Sequence, residues 1–172
     1  SLRGLQELNL LFRDRSLHKY YRSIAAGAVE KPVRAEGWLL KDERANQVRV
    51  FRERRGEARP ICTEYRPLSV FTLGGRPYTY LEINLITGRS HQIRAHLSSL
   101  GHPLIGDGKY GDGRSNAFFR KEFGLTWQLL HAYRLEFPKL SGALSEISGK
   151  AFTAPLPPVF EEILQAAGTA SR

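Results

Sequence analysis

Residues 87–111, TGRSHQIRAHLSSLGHPLIGDGKYG, gather three of the chain's five histidines, two arginines, one lysine and five glycines into twenty-five positions. The text before them alternates, Leu81, Ile83 and Leu85 against Tyr80, Glu82 and Asn84, with the period of two that turns one face of a strand toward a core. A strand over 75–87 therefore ends at Thr87 and Gly88. Ser90 is placed to cap a helix running to about Leu100, with an apolar stripe of Ile93, Leu97 and Leu100, and Gly101 offers the left-handed residue that closes it. His91, Arg94 and Ser98 fall at i, i+3 and i+7 and share one flank of that helix. Cations crowd its start, Arg89 in the turn and His91 and Arg94 just beyond, although the helix dipole favours anions there. The pattern predicts a compensating anion, either a phosphate or a carboxylate from elsewhere in the fold.

Reading outward, residues 61–73 and 75–87 predict an antiparallel pair joined at Gly74 and Gly75. Residues 18–26 alternate as a strand, Tyr21 and Ser23 opposite Tyr20, Arg22 and Ile24, and residues 1–15 read as an amphipathic helix. Shorter strands are predicted at 33–40 and 47–51. The run RVFRERRGEAR, 49–59, carries five arginines and two glutamates and reads as a solvated hairpin tip able to meet RNA backbone. Downstream, a short helix is predicted at 117–123, strands at 128–137 and 143–153, and a last helix at 159–167 after the prolines at 155, 157 and 158. Strands outnumber helices without βαβ alternation. The prediction is one α+β domain over 1–172, a mixed, largely antiparallel central sheet with flanking helices.

A chain of 172 residues can bury one sizeable core. Its 26 Lys and Arg against 17 Asp and Glu give a net charge of +9, suited to a polyanionic partner, nucleic acid first. The one cysteine, Cys62, excludes an internal disulfide and fits a small core residue in a reducing compartment. With no long apolar run and no signal pattern, the expectation is a cytoplasmic protein that meets no membrane. His91 and His96 stand five apart without a nearby cysteine or carboxylate pair, so no metal is expected. The sequence holds no methionine, and the expectation is that a longer polypeptide precedes Ser1.

The run from Thr87 through HQIR (91–94) and GHP (101–103) to GDGKYG (106–111) resembles the signature of the RluA-type pseudouridine synthases. HKYYRSIAAG (18–27), LLHAYRLEFP (129–138) and FTAPLPPVFEEIL (152–164) are similar to further segments of that family. The resemblance implies an enzyme that detaches uracil from C1′ of its ribose in RNA, most often ribosomal RNA, and rejoins it through C5 without cofactor or metal. It implies that Tyr21 is the active-site tyrosine and that Arg94 pairs with the catalytic aspartate. Lys19, Arg89, His91, Gln92 and Lys109 become candidates for contact with substrate or for holding the residues that touch it, and Leu130 for an apolar contact with the base. The family's RLDxxTSG segment is absent: Asp14, Asp42, Asp107 and Asp112 are the chain's aspartates, and none follows Arg-Leu. The expectation is then a fragment, inactive alone, whose Arg94 awaits a carboxylate supplied from before Ser1. A monomer is expected, with association possible through sheet edges left open. The competing readings are a basic RNA-binding domain without catalysis and a metal-dependent hydrolase using His91, His96 and His102.

Overall fold

The computed structural model describes residues 2–12 and 16–169, together with the backbone but not the side chain of Arg13. After α1 (Leu2–Arg13) come five strands, β1 (His18–Ala26), β2 (Val33–Asp42), β3 (Gln47–Phe51), β4 (Arg59–Leu73) and β5 (Arg76–Leu85). Then follow α2 (Gln92–Ser99), α3 (Gly113–Phe123), β6 (Leu130–Glu136), a 3-10 turn over Gly142–Ile147, β7 (Ala151–Thr153) and α4 (Pro158–Ala166). The strands form one sheet in the order β3-β2-β4-β5-β1-β6-β7, every neighbouring pair antiparallel. Among the described residues no helix is long and apolar enough to cross a membrane.

Strand alternation decides which core each residue joins. On β5, Leu81 and Ile83 pack with Ile93 and Leu97 of α2, whereas Tyr78 and Tyr80 pack with Phe119 of α3 and Phe160, Ile163 and Leu164 of α4. One face of the sheet thus carries α2 and the other carries α3 and α4. Leu97 is fully buried, which contributes about 2 kcal/mol by removal of its side chain from water.

Gly74 and Gly75 have φ of 54° and 73°, the left-handed pair that a two-residue hairpin needs, so β4 and β5 join where the sequence reading placed the turn. Two expectations change. Ser90 does not cap α2: the cap residue is His91, in a left-handed conformation with φ 52°. The cause is Gln92, whose Oε1 accepts hydrogen bonds from Thr87 Oγ1 (2.8 Å) and from the Arg89 N–H (3.0 Å), folding 87–91 into a turn before the helix can begin. In 143–153 only Ala151–Thr153 joins the sheet. The rest closes on itself as a 3-10 turn over Gly142–Ile147, with the Gly149 N–H donating to the Pro138 carbonyl and the Leu140 N–H to Ser148 Oγ. Expectations for Ser1, Asp14, Arg15 and residues 170–172 lie outside the described residues.

Candidate active site

The segment after α2 folds back onto that helix. A side chain at Gly106, where φ is 74°, would strike the Trp127 carbonyl, and one at Gly111 would strike the carbonyl of Asp107. Between these glycines Asp107 Oδ1 accepts from the N–H groups of Lys109 (2.9 Å) and Tyr110 (3.0 Å). Its buried carboxylate meets Arg94 as a fork, Nε to Oδ2 and Nη2 to Oδ1, both 2.7 Å. Burial pushes the Asp107 pKa up, but the hydrogen bonds from Arg94, Tyr110 and Lys109 and the Arg94 charge outweigh it and hold the carboxyl below its ordinary value. The anion anticipated at the head of α2 is therefore Asp107. Arg94 therefore does not stand without a carboxylate inside the chain, contrary to the sequence expectation: its Nε and Nη2 are engaged by Asp107, and Nη1 takes no part in the fork.

The flank formed by His91, Arg94 and Ser98 converges on Tyr110. His91 Nδ1 lies 3.0 Å from the Tyr110 hydroxyl, the Arg94 guanidinium sits 5.2 Å from the ring centre, and Ser98 Oγ donates to the Tyr110 carbonyl at 2.7 Å. The same hydroxyl accepts the Val48 N–H (2.9 Å), tying β3 to α2. Tyr110 was not among the sequence candidates; its only signal was the spacing of GDGKYG, three residues after Asp107. Burial, followed by the charges of Arg94 and Lys109, lowers the His91 pKa and favours the neutral ring.

Of the two roles open to Gln92, contact with substrate or support of its neighbours, its bonds are those of support. It is 2% exposed, and besides the bonds already given, its Nε2 donates to the Cys62 carbonyl (3.1 Å) and Thr63 Oγ1 (3.0 Å). Nε2 thus joins β4 to α2 while Oε1 holds the turn before the helix, so both ends of the amide are used. His96 is buried with Nδ1 3.0 Å from Thr63 Oγ1, and His102 Nδ1 lies 3.2 Å from the Ala26 carbonyl. The three histidines thus have three separate partners, and among the described residues no three His, Cys, Asp or Glu side chains are grouped to hold a metal ion.

Strand β1 brings Lys19 and Tyr21 to the α2 face. Tyr21 stands opposite Ile83 and Ala132 and, with Leu130, packs against the cluster that contains Ile83, Ile93 and Leu97. Burial raises its pKa, so the phenol stays protonated at neutral pH. A cavity of about 370 Å³ lies over it, lined by Phe12, Lys19, Tyr20, Ala132 and Tyr133 among others, without Arg94. Lys19 Nζ reaches the turn into α2, 3.5 Å from where a Cβ on Gly88 would be. Arg89 is exposed and lines a second cavity with Lys41, Arg59 and Ser90, while Lys109 Nζ donates to the Asn46 carbonyl at 2.6 Å. The site candidates therefore fall into an apolar floor with a phenol (Tyr21, Leu130), a polar clasp (charged Arg94 and neutral His91) and two outlying cations. Chemically, the floor can receive a flat base, and the clasp can present the free Nη1 of an arginine held charged.

A family model described as RNA pseudouridylate synthase matches residues 1–99. A tRNA pseudouridine synthase C from Vibrio parahaemolyticus is 36% identical over 137 residues, 74% of this chain and 54% of the relative. A ribosomal large subunit pseudouridine synthase C from Vibrio cholerae is 35% identical over 137 residues, 78% of this chain and 40% of the relative. The chain spans about half the length of the first curated relatives it matches, 54% and 56% for two of them. Among solved structures, the human RNA pseudouridylate synthase domain containing 4 superposes with a TM-score of 0.71 at 24% identity, covering 95% of this chain and 67% of that one. That likeness shows a shared fold.

Proposed function

We propose, from the premise that the chain belongs to the RNA pseudouridylate synthase family, that it supplies the base-receiving part of an enzyme isomerising uridine to pseudouridine in RNA. The observation that carries this is Tyr21, a protonated phenol that packs with Leu130 against the apolar cluster under α2 and lines a cavity of about 370 Å³. A uridine taken out of its stack lays its base on such a ring. The N1–C1′ bond breaks, the C5–C1′ bond forms, C5 loses its hydrogen and N1 gains one, so atoms balance without any added reagent. Arg94, held charged by Asp107, offers Nη1 toward the reacting nucleotide. The relatives' names divide between transfer RNA and the large ribosomal subunit, and the shared substrate class is a uridine in structured RNA.

Chemistry at the sugar needs a carboxylate, and the described aspartates are committed elsewhere. Asp42 Oδ1 accepts the Ala45 N–H in the β2–β3 turn, Asp107 holds Arg94, and Asp112 caps α3 and pairs with Arg76. The 172 residues alone are therefore expected to bind RNA without turning it over. Tritium release from RNA labelled at C5 of uridine tests the reading. Release is expected from a polypeptide joining these residues to an Arg-Leu-Asp segment, falling by at least about 100-fold when Tyr21→Phe is introduced. Undiminished release by that variant would remove Tyr21 from the site, and release by the 172 residues alone would disprove the need for a further carboxylate. The closed Arg94–Asp107 pair also supports a second reading, an RNA-binding module without catalysis, for which binding with no release from either polypeptide is the outcome.

A further inference from the structure

Ion pairing divides the arginines of the first six strands and their loops into two groups. Over the middle of the sheet the arginines are paired: Arg22 and Arg66 both with Glu82, Arg34 at the start of β2 with Glu64, Arg76 with Asp112 and Arg134 with Glu136. On the lobe built from the far half of β2, β3 and the loop into the first residue of β4 the pattern reverses. Among the described residues, the side chains of Arg44, Arg49, Arg52, Arg54, Arg55 and Arg59 enter no ion pair or hydrogen bond. Arg54 and Arg55 lie instead over the rings of Trp38 (5.7 Å) and Phe51 (5.0 Å), which are cross-strand partners. A ring steadies a guanidinium without cancelling its charge. Six unpaired guanidinia in sixteen residues repel one another, and a polyanion relieves that repulsion. The lobe also adjoins the reaction face: Glu57 and Arg59 share a cavity of about 340 Å³ with Arg89 and Ser90 at the start of α2.

We infer that this lobe grips RNA backbone, with Arg52, Arg54, Arg55, Arg59 and Arg89 meeting phosphates of the strand that flanks the target uridine. The inference rests on the RNA reading above but concerns grip and not chemistry. An acidic polypeptide would need the same charge, yet the lobe's carboxylates Glu53 and Glu57 are unpaired beside its arginines, whereas the paired surfaces elsewhere already show how this chain accommodates carboxylates.

The test is the salt dependence of binding to a fluorescein-labelled RNA stem-loop of about 20 nucleotides, followed by anisotropy with the 172-residue chain. Removing one arginine from its phosphate lowers the slope of log K against log salt by roughly 0.7–0.9. Arg52→Gln, Arg54→Gln and Arg55→Gln together are expected to lower the slope by about 2, and lysine at the same three positions is expected to restore it. A control of equal charge change, Arg114→Gln, Arg120→Gln and Lys150→Gln, is expected to keep the original slope. Equal loss in both neutralised variants, a slope unmoved by the loop variant, or absence of RNA binding by the unaltered chain would each overturn the grip. So would competition by polyglutamate as strong as that by unlabelled RNA at equal charge. Binding is read without turnover, so missing tritium release leaves this result standing, and intact release with an unmoved slope refutes the grip alone.

Discussion

Asp107 determines how Arg94 is held, and the two cannot be changed independently. Asp107→Asn keeps the shape but withdraws the charge from an arginine whose side chain is only 15% exposed. Leaving a mostly buried cation without its partner costs about 3 kcal/mol, to be seen as a lower urea midpoint at unchanged slope. Tyr110→Phe removes the hydroxyl that serves both His91 and the Val48 N–H, and about 1–2 kcal/mol of destabilisation is expected in the same measurement. The need for an anion beside Arg94 was legible from charges placed against the helix dipole. Which anion was not, because the answer depends on a loop reversal that brings position 107 back over position 94. Glycines at 106 and 111 permit that reversal, and their spacing names no partner. The role of Gln92 stayed open for a related reason: a polar residue in a signature can serve substrate or backbone, and only burial distinguishes the two.

At the scale of elements, the β4–β5 turn separates two demands on adjacent glycines. Both have positive φ, but a Cβ at Gly74 would come 2.7 Å from Phe118, whereas nothing stands within 4 Å of one at Gly75. Asn tolerates the left-handed region, so Gly75→Asn is expected to change stability by less than about 1 kcal/mol. Gly74→Asn has to displace Phe118 as well, and a loss of roughly 2 kcal/mol or more is expected by thermal melting. Helix α3 offers a comparable test at its cap, where Asp112 accepts from the Ser115 N–H (2.8 Å) and Oγ (2.7 Å) and from Arg76 (2.6 Å). Asp112→Ala is expected to cost about 1–2 kcal/mol at neutral pH. The strands with strict alternation, 18–26 and 47–51, were legible to the residue. The failure at 143–153 has the opposite character: its apolar residues suggest a strand, but glycines at 142 and 149 let the chain close local bonds first.

For the molecule as a whole, protonation in acid acts against the same face twice. His91 and His96 both belong to the α2 packing, and burial is the largest cause that lowers each pKa below its ordinary value of 6.5. The native state then refuses a proton that the unfolded chain accepts, so stability is full above about pH 6.5 and falls as the pH drops below it, by up to about 1.4 kcal/mol per pH unit per proton. The carboxylates respond lower on the scale. Hydrogen bonds from the Ser115 N–H and Oγ bring Asp112 down to about 2, and Asp107 is also depressed, so their contribution is present above about pH 4 and lost as the pH falls further. The first window belongs mainly to His96, which is 1% exposed, because Gln92 Nε2 already donates to Thr63 Oγ1 and the one hydroxyl hydrogen of Thr63 can go to a neutral His96 Nδ1. A second proton on that ring would set two donors against each other. His96→Gln keeps a group able to bond Thr63 and cannot titrate. Urea unfolding at pH 8, 6 and 5 is expected to show the unaltered chain weakening from pH 6 to 5 and the variant nearly level there, after an initial loss of about 1 kcal/mol at pH 8. If both weaken in parallel over that interval, the buried histidine is not the group that acid reaches first.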